Sequence, residues 1–381
     1  MNHSATYFDH NATTALDSRV LQAMLPFLSK QPGNATSRHS YGRAARQAVD
    51  QARAQVAEAV GAHPSQIIFT ASGTEANNLA IQGMVESNSQ ILVSAIEHPA
   101  VTRPALTMRQ RGNSVASIAV DASGKLIDSS LQNLLSQPTS LVSVMLANNE
   151  TGVIQNIAEI GEMVRSQGAY LHTDAVQALG KIAVDFSALN VHAMSLSSHK
   201  IKGPQGAGAL VLDKRVDIRP LLYGGGQEKG LRSGTENVAA IVGFGQACEL
   251  IKQELSEQAL IVTQLRVQLE AGLKKLGATI FGDQSERLPN TSFFAFNEID
   301  GETLVVALDR KGFAVASGSA CSSDSTEPSH VLLAMGIARD LARGAIRISL
   351  GGKNTATQIE VFLTVLENEL LRLKRLSAIA I

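Results

Sequence analysis

The 381-residue chain is 44% hydrophobic and 18% charged, a composition that supports a large folded core and excludes intrinsic disorder. Its 33 basic and 34 acidic side chains leave a formal net charge of −1, so no basic excess favours binding to nucleic acid or to an anionic membrane. No apolar run reaches the ~18 residues of a transmembrane helix and the N-terminus lacks a signal-peptide pattern, which predicts a soluble, cytoplasmic protein.

From about residue 45 to 235 the sequence alternates helical and strand-like segments. The predicted strands are 66–70, 91–94, 141–146, 170–173 and 191–197, and the helical segments between them include 43–60 and 74–85. Short apolar strands that alternate with helices are typical of a mostly parallel sheet covered on both faces.

After the glycine-rich stretch 224–234 the pattern changes. A long helix over about 236–276 is followed by strands at 278–281, 291–296 and 345–350 and by helices near 301–311 and 355–376. This part predicts a smaller α+β unit. We therefore predict a large domain over residues 15–250 and a small domain over 251–381 that also takes in residues 1–14.

Lys200 follows a strand-like segment and precedes the turn residues Gly203 and Pro204. It is therefore expected at the carboxyl end of a strand, where open α/β sheets bind their ligands. A lysine that attacks a carbonyl carbon needs such a position, because partial burial and nearby cations lower its pKa. Taken alone, this segment is better explained as an exposed basic turn, and the interpretation as a nucleophile depends on the other segments below.

Asp174 also falls at the carboxyl end of a predicted strand. Pyridoxal phosphate requires a carboxylate beside its ring nitrogen, which keeps the nitrogen protonated and electron-withdrawing. Alternatively, Asp174 could cap a helix that begins near Val176. Gln177 lies three residues further on and could reach the same ligand.

Gly73 and Thr74 join a predicted strand to a helix, and backbone N–H groups at such a helix start could bind a phosphate. The same turn contains Ser72 and Glu75 in the spacing of an ordinary capping box.

His98 likewise follows a predicted strand. It could stack on a planar ring or serve as a loop histidine.

The two cysteines differ in context. Cys248 lies in a helical pattern and is interpreted as a small buried hydrophobic residue. Cys321 lies among Ser and Gly in a segment typical of a mobile loop, which favours a reactive thiol. No spacing of His, Cys and Asp matches a zinc or calcium site, so no metal is expected.

In their order along the chain, these segments resemble the pyridoxal-phosphate-dependent cysteine desulfurases of the aminotransferase-like fold. The most specific parts are 197–204, 224–235 and 318–323, and the resemblance extends from 7–14 to 348–351. The serine-rich segment around Cys321 is similar to the subgroup that supplies sulfur for iron–sulfur clusters and tRNA thiolation. The resemblance implies fold type I, with a mostly parallel seven-stranded sheet sandwiched by helices and a smaller α+β domain.

The resemblance also implies the roles of individual residues. Lys200 would form a Schiff base with pyridoxal phosphate, Asp174 would pair with the ring nitrogen, and Gln177 would bond the ring hydroxyl. His98 would stack on the ring, and Asn149 and Arg347 would orient the substrate. The full set expected to hold the cofactor is Gly73, Thr74, His98, Asn149, Asp174, Gln177, Ser197, His199, Lys200 and Thr235, of which Thr235 comes from the neighbouring subunit of a homodimer.

The implied reaction removes sulfur from L-cysteine, with Cys321, Lys200 and His98 as the catalytic residues. The Cys321 thiolate would take the substrate sulfur as a persulfide, leave L-alanine, and pass the sulfur to an acceptor protein. A selenocysteine lyase or a related class V aminotransferase would share the cofactor residues. A non-catalytic sulfur-relay partner is the alternative from outside the enzymes.

Overall fold

The computed structural model describes residues 5–318 and 327–379, with side chains through residue 375. The strands, in chain order, are β1 (Thr6–Tyr7), β2 (Ile67–Thr70), β3 (Gln90–Ser94), β4 (Ser114–Ile118), β5 (Thr139–Ser143), β6 (Tyr170–Asp174), β7 (Ala193–Ser197), β8 (Gly208–Leu212), β9 (Thr279–Ile280), β10 (Thr291–Ala295), β11 (Phe313–Ala314), β12 (Ala316–Ser317) and β13 (Ile346–Ser349). The α-helices are α1 (Ser18–Ser29), α2 (Ser40–Ala59), α3 (Gly73–Gly83), α4 (Pro99–Met108), α5 (Asp128–Leu134), α6 (Ile157–Ser166), α7 (Val238–Lys275), α8 (Gly301–Asp309), α9 (His330–Ala334), α10 (Arg339–Arg343) and α11 (Ala356–Ile379).

The large sheet has seven strands in the spatial order β2, β8, β7, β6, β5, β3, β4. Strand β8 runs antiparallel to both of its neighbours, whereas the other neighbouring pairs are parallel. Together with the smaller α+β unit described below, this sheet confirms the predicted α/β fold class.

Side chains of the large sheet point alternately to two helical layers. Ile91 and Val93 of β3 belong to one buried cluster with residues of α3 and α4. Leu92, between them, belongs to the cluster on the opposite face, which includes residues of α2 and α7. Because both faces are covered, the central strands are nearly continuous apolar runs, which is why the sequence predicts them.

Three strands of the large sheet differ most from the sequence-based prediction. Strand β5 ends at Ser143, earlier than the predicted segment 141–146. Strands β4 and β8 are not predicted at all. Strand β4 is an edge strand that carries two serines, so it lacks a clear apolar run. Strand β8 does carry the apolar run 209–212 directly after a glycine-rich turn, so its sequence contains a strand signal.

A second sheet, in the order β12, β13, β10, β9, is antiparallel throughout and belongs to the predicted α+β unit. Helices α7, α8 and α11 contribute Leu269, Leu304 and Phe362 to its buried cluster, which also contains Phe294 and Ile348. Strand β1 pairs in parallel with β11, so the N-terminal segment joins this unit.

Helix α7 continues through residue 250, where we place the domain boundary. Phe244 and Cys248 lie in the cluster on the large sheet, and Leu265 and Leu269 lie in the cluster of the second unit. Burial raises the pKa of the Cys248 thiol, in keeping with a small buried hydrophobic residue. The domain limits themselves stay a prediction.

The carboxyl ends of β2, β3, β5, β6 and β7 meet at one edge of the large sheet, because β8 reverses direction relative to both β2 and β7. This edge is where the fold can gather polar side chains around a ligand.

No helix among the described residues combines the length and apolar character needed to span a bilayer. Residues 5–318 and 327–379 also contain no group of three or more His, Cys, Asp or Glu side chains that could hold a metal ion.

Candidate active site

A cavity of about 250 Å³ lies where these strand ends meet, and we call it the strand-end cleft. It is lined by Gly73, Thr74, His98, Asn149, Asp174, Gln177, Ser197, His199 and Lys200, together with Ser72, Asn77, Ala100, Met145 and Val176. The fold therefore brings together most of the residues that the sequence predicts for a cofactor site.

Lys200 ends a single 3-10 turn that follows β7. Its Nζ donates to the backbone carbonyl oxygens of Asn11 at 2.6 Å and Ala12 at 2.7 Å. Gly203 closes the turn, and a Cβ atom there would lie 2.1 Å from Ser198 Oγ, so only glycine fits. The side chain is half-buried and anchored by a distant segment, unlike that of an exposed basic turn.

Asp174 is the last residue of β6 and is 6% exposed. Its Oδ2 accepts from Asn77 Nδ2 at 2.7 Å, and its Oδ1 accepts the Val176 N–H at 2.9 Å. The alternative role as a helix cap is wrong, because residues 175–179 form hydrogen-bonded turns and no helix begins at Val176. Each carboxylate oxygen keeps a further lone pair that can accept from a ligand.

The N-terminus of α3 forms one wall of the cleft. Ser72 caps the helix by accepting the Glu75 N–H at 3.1 Å, so the predicted cap exists, and the helix begins at Gly73. The preceding N–H groups of Gly73 and Thr74 belong to the helix start, where intrahelical acceptors are lacking. Capping by Ser72 and binding of an anion would therefore use different N–H groups of the same turn.

Ser197 lies opposite this helix start. Its Oγ is buried and has no hydrogen-bond partner among the described residues. A Cβ atom at Gly73 would lie 2.7 Å from Val176 Cγ2 and 3.2 Å from Ser197 Cβ, so any side chain there would crowd this space. We call Gly73, Thr74 and Ser197 the anion cradle, because they combine a helix N-terminus with an unsatisfied buried hydroxyl.

Two histidines at the cleft are neutral near pH 7. Burial lowers the pKa of His98, whose Nδ1 accepts the Ala100 N–H at 3.0 Å as the N-cap of α4. The proton of the neutral ring therefore resides on Nε2. Burial, with the charge of Lys200, lowers the pKa of His199 to about 4, and its Nδ1 lies 3.1 Å from Thr13 Oγ1.

Arg347, on β13, connects the second unit to the cleft. Its Nη2 donates to Asp9 Oδ1 at 2.6 Å, and its Nη1 donates to the backbone oxygen of Asn149 at 3.0 Å. Its Nε is buried and has no partner among the described residues. The arginine is thus held at two points and keeps a donor unused.

Among the described residues, Thr235 and Arg347 are predicted site residues that do not line the cleft, although Arg347 contacts the backbone of Asn149 in its wall. Thr235 is exposed. Cys321 lies outside the described residues.

Four polar residues at or behind the cleft are not predicted from the sequence as site residues: Asn11, Asn77, Glu97 and Lys181. Asn77 lies four residues after Gly73 on α3, so helical periodicity could have indicated that both face the same ligand. Glu97 is fully buried, and Oε1 accepts from Ser94 Oγ at 2.7 Å and from the Met145 N–H at 2.6 Å. Nothing in the local pattern indicates Asn11 or Lys181, because their contacts are made across the fold.

Residues 6–362 match the aminotransferase class-V family. A protein of Methanosarcina thermophila named cysteine desulfurase IscS is 40% identical over 380 residues, covering 98% of this chain and 94% of that protein. A solved structure of a NifS-like protein is 40% identical with a TM-score of 0.91, covering 96% of this chain and 99% of that one. A solved structure described as SspA in complex with cysteine is 32% identical, has a TM-score of 0.82, and covers 92% of this chain and 99% of that one.

Proposed function

Because this chain belongs to the aminotransferase class-V family, we propose that it is a pyridoxal-phosphate-dependent cysteine desulfurase, which converts L-cysteine to L-alanine and transfers the sulfur. The observation that carries the proposal is the strand-end cleft, in which Lys200, Asp174 and the anion cradle line one cavity. The names of the relatives, which are cysteine desulfurases, support the choice of substrate.

The residues present fit pyridoxal phosphate. The unpaired Ser197 hydroxyl and the space left by Gly73 suit a phosphate group, and the buried Asp174 carboxylate suits a protonated ring nitrogen. His199 would add a hydrogen bond to the phosphate rather than a charge, because its ring is neutral. When bound, this cofactor withdraws electrons from the α-carbon of the substrate.

The chain's own residues would then bind the substrate and move its protons. The unused Nε–H of Arg347 would donate to the substrate carboxylate, with Asn149 beside it. The Lys200 amine would take the proton from the α-carbon, and neutral His98 would offer the proton on its Nε2. These roles follow from the donor and acceptor inventory of each side chain.

We propose that Cys321 carries out the sulfur transfer. Its thiolate would attack the substrate sulfur, so that an S–S bond forms as the C–S bond breaks, and the substrate carbon would then receive a proton to give alanine. The persulfide would pass to an acceptor protein, for iron–sulfur cluster assembly or thiolation.

We infer further that the chain forms a homodimer in which Thr235, exposed and outside the cleft of its own chain, contributes to the neighbouring site. A cytoplasmic location stays a prediction from the sequence.

The proposal is tested by supplying the purified protein with pyridoxal phosphate and L-cysteine and measuring sulfide and alanine. We expect a visible absorption band, with equal amounts of the two products under reducing conditions. Lys200→Ala removes the band and both products. Cys321→Ser keeps the band but stops sulfide release. Sulfide release by Cys321→Ser at the wild-type rate, or a wild-type protein that binds no cofactor, contradicts the proposal.

A further inference from the structure

A second lysine, Lys181, lies directly behind the strand-end cleft. Its Nζ donates to Gln177 Oε1 at 2.6 Å and to Asn11 Oδ1 at 2.8 Å. Both acceptors are neutral, and no ion pair in the described part of the chain involves Lys181. Burial and the nearby charges of Lys200 and Arg347 lower its pKa. A half-buried lysine with no carboxylate partner requires an explanation, because burying an unpaired cation is costly.

The contacts of Lys181 determine how the Gln177 amide is oriented. A backbone carbonyl can only accept a hydrogen bond, and a lysine side chain keeps N–H groups to donate in either protonation state. Gln177 Oε1 must therefore face Lys181, and Nε2 must face the carbonyl of Asn11, to which it donates at 3.0 Å. The second hydrogen of Nε2 has no acceptor among the described residues, and Gln177 lines the cleft.

Lys181 itself lines a neighbouring cavity rather than the cleft, so it draws Oε1 away from the ligand side. The Asn11 side chain cannot move to another position, because it is 1% exposed and several hydrogen bonds fix it. Its Nδ2 donates to Thr291 Oγ1 at 2.9 Å, and its backbone N–H donates to Ser349 Oγ at 2.9 Å. The two acceptors of Lys181 are therefore part of a rigid, buried network.

We propose that Lys181 is a positioning residue, which holds the Gln177 amide so that the cleft presents its N–H, and not its oxygen, to the ring hydroxyl of pyridoxal phosphate. The inference rests on the proposed function, since it concerns how that cofactor is held. A donor at this place favours the ionised form of the ring oxygen. Without Lys181, only the Asn11 carbonyl still holds the amide, and one of its two anchors is lost. The oxygen of Gln177 then turns toward the cleft more readily, because the terminal amide torsion is broad and roughly two-fold.

The test compares the binding of two compounds to the full-length chain freed of cofactor: pyridoxal phosphate and its analogue that lacks the ring hydroxyl. The dissociation constants are measured for wild type, Lys181→Met, Lys181→Arg and Gln177→Leu. We expect wild type to prefer pyridoxal phosphate by about tenfold, a ratio typical of a hydrogen bond to a charged group. Lys181→Met and Gln177→Leu lose most of this preference, their double variant loses no more, and Lys181→Arg restores it.

Lys202→Met is the matched control, because Lys202 is a lysine of the same neighbouring cavity that lies 3.9 Å from Glu254 rather than against Gln177. It keeps the wild-type preference. A wild-type preference in Lys181→Met, or equal binding of both compounds by wild type, overturns the inference alone. Failure of wild type to bind either compound instead refutes the proposed function. If Lys181→Met does not fold, Lys181→Gln, which keeps a neutral donor of shorter reach, is measured in its place and shows a reduced preference; an unreduced one overturns the inference.

Discussion

Two ion pairs in this protein join a buried arginine to a carboxylate and differ in how completely the arginine is hydrogen-bonded. Arg53 donates to both oxygens of Glu228 at 2.8 and 2.7 Å and to the Ile67 carbonyl, and its guanidinium lies 4.8 Å from the centre of the Phe69 ring. Glu228 also accepts the Phe69 N–H at 2.9 Å. Arg347, in contrast, meets Asp9 through a single contact and leaves Nε unused. We call Arg53–Glu228 the closed pair, because its contacts are complete, and Arg347–Asp9 the open pair. The closed pair stabilises the fold, whereas the open pair keeps a donor for a ligand.

The largest effect is expected where the closed pair is broken. Arg53→Met leaves the Glu228 carboxylate buried without its cation and should lower the free energy of unfolding by about 3–5 kcal/mol. Chemical denaturation measures this loss. The double variant Arg53→Met, Glu228→Gln is the control, because it removes the stranded charge and should recover part of the stability. A loss below about 1 kcal/mol would show that this pair is not the closed structural unit that its contacts indicate.

The next largest effect is expected at the open pair, and it falls on substrate binding. Arg347→Lys keeps the charge but loses the planar guanidinium, and with it the Nε–H that remains for the substrate carboxylate while Nη1 and Nη2 hold Asn149 and Asp9. We expect kcat/KM for L-cysteine to fall by about 30- to 100-fold, mainly through KM, corresponding to about 2–3 kcal/mol. Steady-state kinetics measure the change. If Arg347→Lys instead destabilises the protein as much as Arg53→Met does and leaves KM unchanged, the distinction between the pairs is wrong.

The smallest effect concerns a buried acid with no arginine at all. Burial raises the pKa of Glu97 to about 8 from its ordinary 4.5, so the folded carboxyl keeps a proton that the unfolded chain releases between these values. The stability that the protonated Glu97 carboxyl contributes is therefore fully present below pH 4.5, and it is lost as the pH rises toward 8. Glu97→Gln cannot ionise, and its stability relative to wild type should be higher at pH 8 than at pH 5 by at least about 1 kcal/mol. An equal difference at both pH values would contradict the raised pKa.

The sequence predicts the central strands well because they are buried on both faces and carry uninterrupted apolar runs. It also predicts Asp174 and Lys200 as strand-end residues, since strand ends are local features. It does not predict β8, whose antiparallel direction depends on its neighbours in the sheet. The supposed helix after Asp174 is absent, because tertiary contacts hold that segment in turns.

The partners of the site residues are largely beyond sequence reasoning. Asp9 and Arg347 are 338 positions apart, and Asn11 and Lys200 are 189 apart, so only the folded chain brings them into contact. Lys181 lies four residues after Gln177 but contacts it from a turn rather than from a helix, so no periodic pattern indicates the pair. Strand ends locate the site, and long-range polar contacts complete it.

The pairing of β1 with β11 has a consequence for synthesis. The segment that contains Asp9 and Asn11 is synthesised 338 positions before Arg347 and Ser349, to which these two residues bond, and β1 likewise precedes its partner residue Phe313. The segment can dock only once those residues have been made. Until then the backbone oxygen that anchors Lys200 has no fixed place. A nascent chain that stops before β13 can assemble the large sheet but not a finished cofactor pocket, so loading of the cofactor must follow the synthesis of β13.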